Sequence, residues 1–165
     1  MFFLVKQILS TLLLSIIILF SVSLCYANAS NDFDTFKKII NEITVGEVYH
    51  NVNYLHYDNV MDEYVENEGN VYVKLHLDES TKRVNNLQIS LFRELNDHSL
   101  YEPLTNFVNV KFEKEYIEKN GTRVWELDNI NIILEEYAIN IPTFSPPSKD
   151  FNVTIIKIQQ KNLKV

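Results

Sequence analysis

The apolar residues of this chain recur at two different periods, and the change from one to the other divides it. Phe33, Phe36, Ile39, Ile40 and Ile43 share one face of a helix, with Lys37, Lys38 and Glu42 outside it. Asn31 stands where a cap for that helix is expected. Two continuations are open: Gly46 ends the helix, or Val48, Val52 and Leu55 carry it further. Residues 54–65, rich in Tyr and Val, read as extended. After Gly69 the period becomes two. Val71, Val73, Leu75 and Leu77 alternate with Tyr72, Lys74 and His76, a half-buried strand with one wet face. A polar connection over residues 78–86 leads to Leu87, Ile89 and Leu91 at the same period, which predicts a hairpin.

Further along, Val108, Val110 and Phe112 read as the start of another strand. Asn120-Gly121 supplies the two positive φ angles of a type I′ turn, and residues 124–127 return from it. The stretch from Ile130 to Ile141 is mostly apolar and fits either a strand or a short helix. Pro142, Pro146 and Pro147 end regular structure there. Phe151, Val153 and Ile155 begin a last strand, and Ile156 and Ile158 change phase as across a bulge. The fold class expected is α+β: an N-terminal helix packed on an antiparallel sheet of about five strands.

The first 29 residues set the compartment. Lys6 precedes an apolar run over residues 8–24, broken only by Ser and Thr, and Ala27-Asn28-Ala29 offers a small-residue cleavage site. Residues 1–29 therefore read as a secretory signal peptide and residues 30–165 as a single domain. The expected location is extracytoplasmic: periplasm in a bacterium, the secretory pathway in a eukaryote. The apolar run is barely long enough to span a bilayer, and no basic cluster follows it, so no membrane attachment is expected after cleavage. The lone cysteine, Cys25, leaves with the signal, which removes disulfides, thiolate ligands and a cysteine nucleophile from the mature chain.

The formal charge of −7 becomes −8 once Lys6 is lost, with Lys and Arg scattered rather than grouped into a stripe. Nucleic acid is therefore a poor partner, and a basic protein would be steered toward the chain. Only three glycines occur, and no phosphate-cradling glycine pattern is present. Asn-x-Ser/Thr triplets stand at Asn28, Asn120 and Asn152, but a chain this rich in Asn, Ser and Thr yields such triplets by chance.

Catalytic chemistry is thin. His56 and Asp58 echo His76 and Asp78, and on neighbouring strands they would bring two imidazoles and two carboxylates toward a metal, but no tight ligand spacing accompanies them. Ser90 or Ser99 could be combined with a histidine and an aspartate on paper, yet no nucleophile-elbow motif presents either. Glu135-Glu136, and Glu113 with Glu115 on one strand face, fit solvated faces better than acid–base pairs. Tyr49, Tyr54, Tyr57, Tyr64 and Tyr72, with Trp125, fit sheet cover better than a binding surface. No catalytic residue, metal or cofactor is expected, and the chain reads as a binding protein.

The helix over residues 32–43, the extended Tyr54-Leu55-His56-Tyr57, the acidic approach to Gly69 and the strand Asn70-Val71-Tyr72-Val73-Lys74-Leu75 together resemble a cystatin. Ile89-Ser90-Leu91-Phe92-Arg93-Glu94-Leu95 resembles that family's next strand. The resemblance covers roughly residues 32–96 and implies a cystatin-like fold that inhibits papain-like cysteine proteases with hairpin loops. The family's first loop, Q-x-V-x-G, aligns with Val65-Glu66-Asn67-Glu68-Gly69, where only the glycine is kept. The second, Pro-Trp, is matched by Leu95-Asn96 in one alignment and better by Pro142-Thr143-Phe144 in another. Glu66 and Glu68 depart from the pattern, since burying unpaired carboxylates in a cleft costs several kcal/mol. The expected partner is a cysteine protease; the alternative is a basic protein that this acidic chain neutralises or escorts.

Overall fold

The computed structural model describes residues 31–50, 55–58, 63–68, 70–141 and 149–161. Residues 1–29, read above as a signal peptide, lie outside the described residues, as do Gly69 and Pro142-Thr143-Phe144. Residues 31–42 form helix α1, so Asn31 lies within the helix rather than capping it. Its buried side chains, Phe36, Ile39 and Ile40, with Ile43 just beyond, follow the predicted face. The helix stops there, and residues 45–46 form a turn, so the first of the two continuations is the one observed. Gly46, at φ 93°, occupies a backbone region that side chains disfavour, and its N–H donates to the Val84 carbonyl.

The chain is α+β, built on one antiparallel sheet. Its strands are β1 His56–Asp58, β2 Glu63–Glu68, β3 Val71–Leu77, β4 Val84–Glu94, β5 Ile117–Lys119, β6 Thr122–Glu126, β7 Ile130–Ile141 and β8 Lys149–Gln160. Their order across the sheet is β1-β2-β3-β4-β8-β7-β6-β5, which makes eight strands among the described residues where about five were expected. Two meanders thus meet at the long β4–β8 pair, which runs from Asn86↔Gln159 to Glu94↔Phe151.

Two expectations about particular segments are corrected. Val108, Val110 and Phe112 lie in a second helix, α2, Tyr101–Phe112, not in a strand. Leu100, Leu104 and Val108 bury at helical spacing, whereas Val110 is 79% exposed. Apparent alternation over five residues was one helical stripe plus an exposed valine. Pro103 sits in the first turn, where its missing N–H costs nothing, and Glu113 closes the helix in a left-handed conformation. Second, β8 has no bulge: its register with β7 is continuous from Lys149 to Gln160. The phase change arises because β8 is apolar on both faces, with Ile156 and Ile158 toward the helices and the buried Val153 and Ile155 on the other side. Of the two readings open for Ile130–Ile141, the strand is the one observed. The Asn120-Gly121 turn is as expected, at φ 53° and 76°.

Both helices cover the same sheet face. Val73, Ile89, Ile156 and Leu134 are in register across four strands, and Leu75, Leu87, Ile158, Ile132 and Trp125 form the next row. Every one of these side chains is buried. Phe107 of α2 packs edge-on against Phe33 and Phe36 of α1, at centroid distances of 6.2 and 5.6 Å. The helices run in the same direction. Their N-terminal ends stand over the sheet end that carries Arg93, and their C-terminal ends over the end that carries Ile158.

Candidate functional site

The Arg93 end gathers the features able to meet a partner. Along β4 the inward positions read Leu87, Ile89, Leu91, Arg93, so the alternation that buries three aliphatic side chains also drives a guanidinium inside. Arg93 Nη1 donates to Asp32 of α1 at 2.6 Å, and its Nε and Nη2 donate to Asp97 at 3.0 and 2.9 Å. Two carboxylates thus compensate a charge that would otherwise be costly to bury. They also tie the start of α1 and the β4–α2 connection to the same strand.

Asn152 stands opposite Arg93 in β8 and donates to the Asp97 carbonyl at 3.0 Å. Its amide nitrogen also lies 3.1 Å from His98 Nδ1. That Nδ1 is in hydrogen-bond contact with Glu136 of β7, whose other oxygen accepts from the Thr154 hydroxyl at 2.8 Å. Nδ1 donates to Glu136 when it carries a proton and accepts from Asn152 when it does not, so the ring's tautomer selects the partner. At Asp97, burial opposes ionisation, but hydrogen bonds from Ser99 and the Arg93 guanidinium outweigh it and hold the carboxyl below its usual range.

The histidine–carboxylate pair has the geometry of an oriented acid or base, with the ring largely exposed. Nothing among the described residues supplies it with a nucleophile. Ser90 is buried on the opposite sheet face and accepts from Gln88 there, and Ser99 is engaged with Asp97 through both its backbone N–H and its side chain. No three His, Cys, Asp or Glu side chains among the described residues come together to hold a metal ion.

The residues of the His-x-Asp echo are not brought onto neighbouring strands. His56 and His76 lie on β1 and β3 with β2 between them, two strand spacings or about 10 Å apart, not on neighbouring strands. Asp78 instead caps the β3–β4 turn, accepting from the Ser80 hydroxyl and from the Thr81 amide and hydroxyl, which holds its carboxyl far below the usual range. Glu113 and Glu115 share no strand: one ends α2 and the other accepts from Asn109. Glu135 and Glu136 take opposite faces of β7, one bonded to Lys157 and one to His98. Trp125 is fully buried, with Nε1 donating to Asn109 at 2.7 Å.

Four of the five residues aligned with the first loop, Val65, Glu66, Asn67 and Glu68, belong to strand β2 and pair with β3. Asn70, the next described residue, is in a turn before β3 begins at Val71. The β2–β3 reversal and the β7–β8 connection that holds Pro142 and Phe144 leave the sheet at the same end. Glu68↔Val71 is in register with Leu91, Thr154 and Glu136, and β7–β8 pairing continues beyond that row to Ile141↔Lys149. Three strand spacings, about 14 Å, separate the two laterally.

No family model matches this sequence, and neither the curated proteins nor the solved structures contain a match to it.

Proposed function

We propose that the protein is an extracytoplasmic inhibitor that binds a papain-like cysteine protease through the Arg93 end of the sheet. The observation that carries this reading is the shared exit of the β2–β3 reversal and the β7–β8 connection at one end. Two loops that are distant in sequence can enter one cleft only if they leave the fold at the same end. The buried Arg93 network beneath them fixes the platform, and a pre-ordered platform lowers the entropy lost on binding. Inhibition of this kind needs no cofactor and no catalytic residue, because occupation of the cleft is sufficient. The Gly69 and Pro142-Thr143-Phe144 segments make the contact.

The test is titration of residues 30–165 against papain and a cathepsin L-type protease with a fluorogenic substrate. The expected result is reversible loss of activity below micromolar inhibitor. Full activity at tens of micromolar would overturn the reading. Gly69→Trp is expected to abolish inhibition while leaving the circular dichroism spectrum unchanged.

Charge favours a second reading, capture of a basic protein. Lys37, Lys119, Lys157, Arg93 and Arg123 are each committed to carboxylates within the chain. The net charge of −7 therefore rests on acidic groups in excess of these pairs. Salt separates the two readings, since charge-steered association weakens with ionic strength and loop insertion into a cleft does so far less.

A further inference from the structure

The fold treats its two described Asn-x-Thr triplets in opposite ways. Asn152-Val153-Thr154 lies in β8 at the centre of the sheet. Asn152 is 3% exposed and its amide is committed to the Asp97 carbonyl, while Val153 and Thr154 are buried beside it. A sugar on that nitrogen would displace the Arg93–Asp97 contact and could not coexist with the β4–β8 pairing. Asn120-Gly121-Thr122 forms the tip of the β5–β6 hairpin at the free edge of the sheet. Asn120 is exposed there, and beyond Gly121 and its two chain neighbours no heavy atom lies within 4 Å of the place a Cβ on Gly121 would occupy. The left-handed backbone at Asn120 and Gly121 turns the triplet outward, and β5–β6 pairing resumes at Lys119↔Thr122.

We propose that Asn120 is an N-glycosylation acceptor, and that Asn152 is closed to modification in the folded protein, when the chain passes through a compartment that holds an oligosaccharyltransferase. The donor is a lipid-linked oligosaccharide pyrophosphate. The Asn120 amide nitrogen forms a bond to the anomeric carbon of the first sugar, the carbon–oxygen bond to pyrophosphate breaks, and the amide gives up one proton to a base in the enzyme. The oligosaccharide then stands on the β5 edge, flanking the Arg93 end. There the Tyr101 hydroxyl, 3.4 Å from the Gly121 carbonyl, joins the tip to the start of α2. It covers an edge strand whose Ile117 is half exposed. The proposal rests on the secretory reading of residues 1–29.

The test is expression of the full chain in an insect-cell secretory host, with intact mass measured before and after peptide N-glycanase. The expected wild-type product is a secreted protein that loses one glycan and gains an aspartate at position 120. Asn120→Asp, which keeps a residue tolerant of positive φ, and Thr122→Ala, which keeps the turn residues, should each remove the glycan; Asn152→Asp should leave it. Secreted protein without a glycan, or a glycan that persists in Thr122→Ala, overturns the assignment and leaves secretion standing. A chain retained in the cytosol overturns both.

Discussion

The two ends of the helix–sheet interface are closed by opposite chemistry. At the Ile158 end, the C-terminal turns of α1 and α2 stand over Ile130 and Ile158 with a cleft of about 250 Å³ between them, lined by Ile40, Ile43, Val45 and Phe112. There Lys111 donates to Asn41 at 2.8 Å, an exposed contact between the helices of small energetic weight. At the Arg93 end, the guanidinium and the Asp32 carboxylate are as buried as many core side chains and meet at 2.6 Å. One end is held by apolar contact that tolerates a gap, and the other by charges that tolerate none. The difference shows where the fold demands a defined geometry, and that end also carries both candidate contact loops.

The largest effect is expected from breaking the charged end. Arg93→Ala leaves Asp32 buried without its partner, and removing one member of a buried pair costs about 3–5 kcal/mol. Urea denaturation of the variant should show that loss as a lower midpoint with an unchanged slope. Adding Asp32→Asn and Asp97→Asn to an Arg93→Met background should recover most of it, because the penalty comes from uncompensated charge. A loss below about 1 kcal/mol for Arg93→Ala would mean that water reaches Asp32 and that the ends do not differ.

Truncation at the two depths of the apolar core sharpens the comparison next. Leu75 is fully buried in the central row, and Leu75→Ala should cost about 3–5 kcal/mol through a cavity that its packed neighbours cannot fill. Ile158→Ala only widens a cleft that already exists, so about 2 kcal/mol is expected, the lower end of the range for such truncations. Equal losses at both sites would show that the cleft closes in solution.

Most of the apolar frame was legible because it depends on period alone. Phe36, Ile39, Ile40 and Ile43 bury as their spacing requires, as do Val71, Val73, Leu75, Leu87, Ile89 and Leu91. The Asn120-Gly121 turn was equally plain, since positive φ at two successive positions selects those residues. Helix α2 was misread because Val110, an exposed apolar residue, completed a false alternation with Val108 and Phe112. Strand β8 was misread because a strand buried on both faces shows no alternation. The site was the least legible part. One signal was available: Arg93 continues the inward series of Leu87, Ile89 and Leu91, which predicts a buried cation in need of acids. Nothing local to the chain names Asp32, sixty-one residues earlier, as one of them, and Glu136 meets His98 only because β7 and β8 return past the β4–α2 connection. Long-range pairing of this kind is set by strand order.

The smallest expected effect is a pH dependence that Asp97 confers on the charged end. Its carboxyl is held below the ordinary range, since the bonds from Ser99 and Arg93 outweigh the burial that opposes its charge. The unfolded chain therefore binds this proton more readily than the folded one, so the stabilisation is fully present above about pH 4 and is lost as pH falls through the lower folded value. Because the side chain keeps partial contact with water, the contribution should stay near 1 kcal/mol or below. Asp97→Asn should flatten the acid limb of a stability–pH profile measured by thermal unfolding. Tyr101 provides the control from the other side of the scale. Burial raises its hydroxyl above the usual value, so its contribution is present below about pH 10 and is lost as pH rises further. Tyr101→Phe should change the alkaline limb and leave the acid limb as it was. An acid limb that survives in Asp97→Asn would show that Asp97 does not set the acid sensitivity of this end.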